Sequence, residues 1–284
     1  MITTPTVTST VITSGVTRGL IEVRQAFTGA ELIGQLFWPL ATLLAIWIFR
    51  ERQLDNGVVL GTMMLPGVLG MFVAFGMMLV VQFLAADRED GTLLRAKATP
   101  GGIASYLVAK VVNSSLTISA YLVIVAVPAS FFVGGLAVVG ARGWFTLAWV
   151  VLLGMAATQL AGAALGSLVS SPRTASYIAL LVMALTAVSG IFYPITALPT
   201  WLQWIGQAFP IYWLGLGMRS GLLPDAAAVI EIAGSWRTLE TAAALTGWTF
   251  LGLVAAPPLL RRMAQRESGS RLVDRKDRAL QRVS

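Results

Sequence analysis

The sequence predicts an all-α integral membrane protein. It has six transmembrane helices, an N-terminal amphipathic helix in the membrane interface, and short re-entrant helices between spans five and six. Three observations carry that reading. Six apolar stretches occur in 284 residues, at about 32–49, 58–84, 107–132, 144–169, 176–195 and 241–260. Each approaches the ~20 residues that a helix needs to cross a hydrocarbon core. Hydrophobic residues make up 56% of the chain and charged residues 12%, with a mean hydropathy of +0.78. A water-soluble domain of this length cannot bury so much apolar surface. Finally, the charges keep to the ends of the apolar stretches and to the connections between them.

The net charge of +7 is a topology signal. With six spans, 15 of the 20 Lys and Arg residues fall on the side of the two termini, eight of them after Leu260. Positive residues are retained in the cytoplasm, so both termini are expected there, in a multi-pass protein of the plasma (cytoplasmic, or cell inner) membrane. The basic excess suits anionic headgroups, and no nucleic-acid recognition motif accompanies it.

Three segments follow from this reading: a disordered 1–15, a transmembrane domain over 16–260, and a basic cytoplasmic tail over 261–284. Residues 1–14 are polar and threonine-rich, without the apolar core of a cleavable signal peptide. Val16, Leu20, Val23 and Phe27 then recur at helical spacing. This stripe predicts an interfacial helix or a helix packed on a partner subunit. Pro66 and Gly67 predict a kink or local unwinding in the second span. Gly162 and Gly166 in the fourth have the spacing of close helix contacts, within the chain or between copies.

Between Pro194 and Pro224 prolines divide an apolar segment into pieces too short to span. Pro199 suits the start of one short helix, and Pro210 ends it and opens another. Trp201, Trp204, Tyr212 and Trp213 suit headgroup depth. The segment reads as two short helices dipping into the outer leaflet, or as an interfacial loop.

Missing residue types exclude several activities. The chain has no His and no Cys, so catalytic, cofactor-binding and metal-ligating candidates are all absent, and the chain is not expected to be an enzyme by itself. None of Lys97, Lys110 and Lys276 belongs to a phosphate-binding Gly-x-x-x-x-Gly-Lys motif. Asp and Glu map to loops, helix ends or the interfacial helix, so no ionisable group is expected inside the membrane to drive ion coupling. Gln82, Asn113, Ser114, Ser115, Thr117, Gln159 and Ser167 are uncharged polar residues within spans. They suit interhelical hydrogen bonds or the lining of a route for amphipathic cargo.

The loop after the second span, Asp87 to Pro100, is compact and charged with both signs, and it closes on Pro100-Gly101-Gly102. On physical grounds it is either a docking surface for a soluble partner or a solvated connector.

Arg88-Glu89-x-Gly91-Thr92-Leu93 with Thr99-Pro100 and Lys110 resembles the corresponding loop of ATP-binding cassette type-2 permeases. A second stretch matches in the right order: Ser189-Gly190-Ile191-Phe192-Tyr193-Pro194, Leu198-Pro199-x-Trp201-Leu202, Phe209-Pro210-Ile211-Tyr212 and Arg219. The resemblance covers about 16–260 and is closest to daunorubicin-resistance-type exporters. It implies the permease subunit of an ATP-driven exporter of a drug, antibiotic or lipid, hence efflux, drug resistance or lipid export. A second permease copy, expected as a homodimer, would pair with separate P-loop ATPase subunits that carry ATP and Mg. The resemblance implies ATPase coupling through the 87–99 loop, at Arg88, Glu89, Asp90, Gly91, Thr92 and Arg95. It implies a translocation route near Gln82, Ser189, Phe192 and Tyr193, to which the polar span residues Asn113 and Gln159 are added as candidates, and an outer lid at Pro199, Trp201, Trp204, Phe209 and Pro210. The family often has an acidic residue where this chain has Leu94, so Glu89 or Asp90 is expected to supply that contact. The competing reading is a membrane scaffold or sensor that binds a cytoplasmic partner and moves no cargo.

Overall fold

The computed structural model describes residues 7–52, 60–133, 139–169 and 171–266. Residues 1–6 of the N-terminal segment, the start of the second apolar stretch and 267–284 of the tail lie outside the described residues. Among the described residues all regular structure is helical.

The order is α1 (Val7–Ala26), α2 (Glu31–Phe49), α3 (Leu60–Glu89), α4 (Thr92–Lys97), α5 (Gly102–Phe132), α6 (Ala141–Leu168) and α7 (Pro172–Val188). Then come α8 (Thr200–Ala208), α9 (Pro210–Leu222) and α10 (Thr238–Arg266), with short 3-10 turns at Ile195–Ala197, Asp225–Ile230 and Ile232–Gly234. Five of these helices, α2, α3, α5, α6 and α10, are long and apolar enough to cross a membrane. The fifth apolar stretch forms α7, which is apolar but 17 residues long. The sequence expectation of six spans therefore becomes five long helices and one shorter one.

Helices α3 and α6 form the centre, and α2, α5 and α10 face outward for most of their lengths. Small residues set the central spacing. A Cβ at Gly162 would lie 2.5 Å from the Met77 carbonyl oxygen, and one at Gly166 would lie 2.7 Å from Leu84 Cδ1. The glycine pair therefore seats α6 on α3 within one chain, where small residues permit close backbone approach. Thr158 Oγ1 adds a hydrogen bond to the Val73 carbonyl at 3.1 Å across the same contact.

Three local expectations are revised. Helix α1 begins at Val7, within the segment read as disordered. Its hydroxyls return to the helix backbone, Ser14 to Thr10 O at 2.8 Å and Thr17 to Thr13 O at 2.9 Å. Helix α3 runs unbroken through Pro66, and Gly67 instead lets the chain beyond α7 approach: a Cβ there would lie 2.6 Å from Ile191 O. Tyr212 and Trp213 are interior residues, 0% and 7% exposed, so headgroup depth is left to Trp201 and Trp204 at 63% and 71%.

Candidate functional site

Two glycines define the connector between α3 and α5. Gly91, with φ 77°, turns the chain out of α3, and Gly101, with φ 69°, turns it into α5. An L-residue with a Cβ rarely adopts either conformation. Between them α4 has only six residues, and Asp90 Oδ1 accepts from Thr92 N at 2.8 Å to hold its first turn. Leu93 and Ala96 point inward onto Leu84, Tyr106, Leu260 and Met263. Thus α4 is seated on α3, α5 and α10 together. Lys97 Nζ reaches the Gln265 carbonyl of α10 at 3.4 Å.

The outward face carries charge. Glu89, Asp90 and Arg95 are exposed, Arg88 and Thr92 are half-buried, and Gly91 is buried. Arg95 Nη2 lies 3.4 Å from Asp90 O and 3.3 Å from Thr92 Oγ1, which draws its guanidinium back along the helix. Arg88 donates from Nη1 to the Val169 carbonyl just beyond α6, tying this connector to the turn before α7. Of the six residues expected at a docking surface, Glu89, Asp90 and Arg95 are the most available, and Arg88 also braces the loop from within.

Beneath that face lies a cluster that sequence reading does not find. Lys110 Nζ sits 2.8 Å from Asp87 Oδ2 and 2.9 Å from Glu22 Oε2. Tyr106 donates to Asp87 at 2.8 Å, Asn113 Nδ2 donates to Glu22 at 3.1 Å, and Arg18 Nε pairs with Glu22 Oε1 at 3.0 Å. The Lys110 ammonium also lies 5.3 Å from the Phe83 ring centroid and 5.6 Å from that of Tyr106, within cation–π range. Asp87 and Lys110 are buried, so each charge needs the others. Burial opposes the ionised form of Glu22, but hydrogen bonds and charge from Lys110, then Arg18, outweigh it and hold its pKa below the ordinary carboxylate value.

The cluster joins α1, α3 and α5 at the base of α4. Glycines on α1 make the join close: a Cβ at Gly15 or Gly19 would meet Val108 or Val112 of α5 at 2.6–2.8 Å. Ser14 and Ser105 hydroxyls add a 2.9 Å hydrogen bond. Of the expected stripe, Leu20 is exposed while Val16, Val23 and Phe27 are half-buried. The helix therefore docks through small residues and turns much of its apolar side outward.

Residues expected along a route are not brought together on one surface. The Asn113 amide is engaged by Glu22. Gln159 bonds Ser114 at 2.9 Å and Ser115 at 3.0 Å between α5 and α6. Ser189 is buried, with its hydroxyl on the Thr186 carbonyl at 2.8 Å. Gln82 and Phe192 are exposed and Tyr193 is half-buried, its hydroxyl bonded to the Ala187 carbonyl.

At the opposite end, α8 and α9 meet at a corner. Pro199 and the Trp201 and Trp204 side chains are exposed, and Phe209 stacks on Trp248 with centroids 6.0 Å apart. Pro210 opens α9, which is almost wholly buried. The residues expected at a lid are therefore divided between a largely exposed α8 and an interior α9. This end also holds the buried ion pair of Arg219 Nε and Glu231 Oε1, 2.7 Å apart. Like Asp87 and Lys110, these charges are buried in the protein near a helix end or in a loop, and each faces an opposite one. An arginine after Leu-Gly-Leu-Gly-Met and a glutamate between isoleucines are the available signals. Taken alone, both read as charges of loops or helix ends.

A comparison with family models finds a match to the one described as ABC-2 type transporter, over residues 11–223, from within α1 to just past the end of α9. A comparison with curated proteins found no match.

Proposed function

The chain belongs to the ABC-2 type transporter family and is a multi-pass membrane permease component; on that premise we propose that it is the transmembrane subunit of an ATP-driven exporter for an amphipathic compound such as a drug, an antibiotic or a lipid. ATP and Mg belong to a separate ATPase subunit, and a second copy of this chain completes the membrane half. The distribution of Lys and Arg supports placing α4 and both termini on the cytoplasmic side.

The observation that carries this reading is the position of α4 above the Lys110 cluster. A force on the charged outer face of the α3–α5 connector, at Glu89 and Asp90 before α4 and Arg95 on it, is delivered to α3 and α5 through Gly91 and Gly101. It is delivered to α1 through Asp87, Lys110 and Glu22. A short rigid element joined to several helices can bias two discrete arrangements of a bundle. Arg88, bonded to Val169, extends the same movement towards α7. Gln82 on α3 and, at the far end of the bundle, Phe192 and Tyr193 remain the candidates for a route between two permeases, with α8 as its exposed cover.

Purification from the native membrane through a tag on the tail, followed by an ATPase assay, tests the proposal. A stoichiometric P-loop subunit with ATP turnover is the expected result. A permease recovered without any nucleotide-binding subunit contradicts it and favours the scaffold reading.

A further inference from the structure

Arg219 does more than neutralise Glu231. Its Nη1 donates to two successive carbonyls, Gly190 O at 3.0 Å and Ile191 O at 3.1 Å. These carbonyls lie where the chain leaves α7: Ser189 ends the helix and Gly190 takes φ +66°. Both carbonyls lie past the last helical residue, outside any helical ladder, so they need a donor from elsewhere in the fold. A guanidinium presents several donors in one plane, so it can hold a backbone bend and a carboxylate at once. The opposite charge comes from Glu231, whose side chain is 0% exposed against 3% for Arg219. The Nε–Oε1 contact is short but bent away from hydrogen-bond alignment, and Arg219 Nη2 and Glu231 Oε2 have no hydrogen-bond partner among the described residues.

Ile191 is gripped from two further directions. A Cβ at Gly70 of α3 would lie 3.2 Å from its Cδ1, and one at Gly215 of α9 would lie 3.0 Å from its Cα. Thr196, in the short turn Ile195–Ala197 that follows the bend, donates to Ile230 O at 2.9 Å, beside Glu231. The loop holding Glu231 is therefore tied to the chain beyond α7 at a second point.

We propose that Arg219 and Glu231 are positioning residues. Together they clamp the bend after α7 to α9 and to the 225–234 loop, so that Phe192 and Tyr193 keep a fixed place at this end of the bundle. The clamp stands on the geometry alone. Its importance for cargo rests on the reading of Phe192 and Tyr193 as lining the route.

The chain has no cysteine, so a single Phe192→Cys substitution accepts one spin label. The test uses the full chain in lipid nanodiscs without the ATPase, which separates failure of the clamp from failure of the exporter reading. A second label site at Gln265, exposed on α10 at the α4 end, serves as the control. The expected result is slow label motion at 192 in the parent chain. Arg219→Lys and Glu231→Gln should each make it several-fold faster and leave motion at 265 unchanged. Unchanged motion at 192 in both variants overturns the proposal. Equal loosening at 192 and 265 also overturns it, because the pair would then be a general stabiliser. Should neither variant fold, the parent chain still decides. With labels at positions 192 and 229, and labelled chain diluted in unlabelled chain, the clamp requires a single narrow distance distribution. A broad one overturns it.

Discussion

Lys110 Nζ stands 2.9 Å from Glu22 Oε2 although 88 residues separate them. This contact fastens a peripheral helix, α1, to the base of α4. A second contact, 2.8 Å to Asp87, makes the lysine the common counter-charge of two helices. The ion pairs lie where α1, α3 and α5 meet.

Removing the shared cation should be costly. Lys110→Met leaves the buried Asp87 carboxylate without its cation and Glu22 with Arg18 alone. Breaking such a pair costs about 3–5 kcal/mol. Thermal unfolding in detergent should show a clear fall in Tm for the single variant. Most of that fall should be recovered when Glu22→Gln and Asp87→Asn are added, since no buried charge then lacks a partner.

Acid should release α1. The Glu22 carboxyl is held below its ordinary pKa in the folded chain, so the unfolded or undocked state binds its proton first as pH falls. The stabilisation is complete above the ordinary glutamate pKa and is lost as pH falls through the lowered folded value. A spin label at Ile21, exposed on α1, should stay slow at neutral pH and become mobile only in acid. In Glu22→Gln that transition should disappear.

Close packing should respond to added atoms by position. At Gly162 a Cβ would meet Met77 backbone at 2.5 Å. Gly162→Leu should therefore destabilise by at least about 1–3 kcal/mol. At Gly247, within α10, nothing among the described residues lies within 4 Å of the Cβ position. Gly247→Ala should raise helix stability by about 0.5–1 kcal/mol. Tm values for the two variants, moving in opposite directions, check this pair.

Length and apolarity make the long helices legible, because a spanning segment is a local property of the sequence. The C-terminal end of α4 is legible for a similar reason: Pro100-Gly101-Gly102 is a local turn signal. The Lys110 cluster is not, since its members come from three separate helices and each alone looks like an ordinary helix-end charge. Tyr212 and Trp213 mislead because an aromatic pair has the same composition at an interface or in a core. Only the packing of α9 against α3 and α6 distinguishes the two. Residues 7–15 mislead because Ser and Thr depress helix propensity. Here their hydroxyls bond back to the helix, and Gly15 fits against α5.

On the proposed function, the connector built on α4 passes force from an ATPase to the bundle through its charged outer face. The most direct measurement is ATP hydrolysis by the reconstituted complex after reversal of Glu89, Asp90 and Arg95 together, with insertion and Tm of the permease followed in parallel. The account predicts a permease that folds as before and a partner ATPase whose stimulation by the permease is lost. Undiminished stimulation, with the three charges reversed and the fold intact, would contradict it.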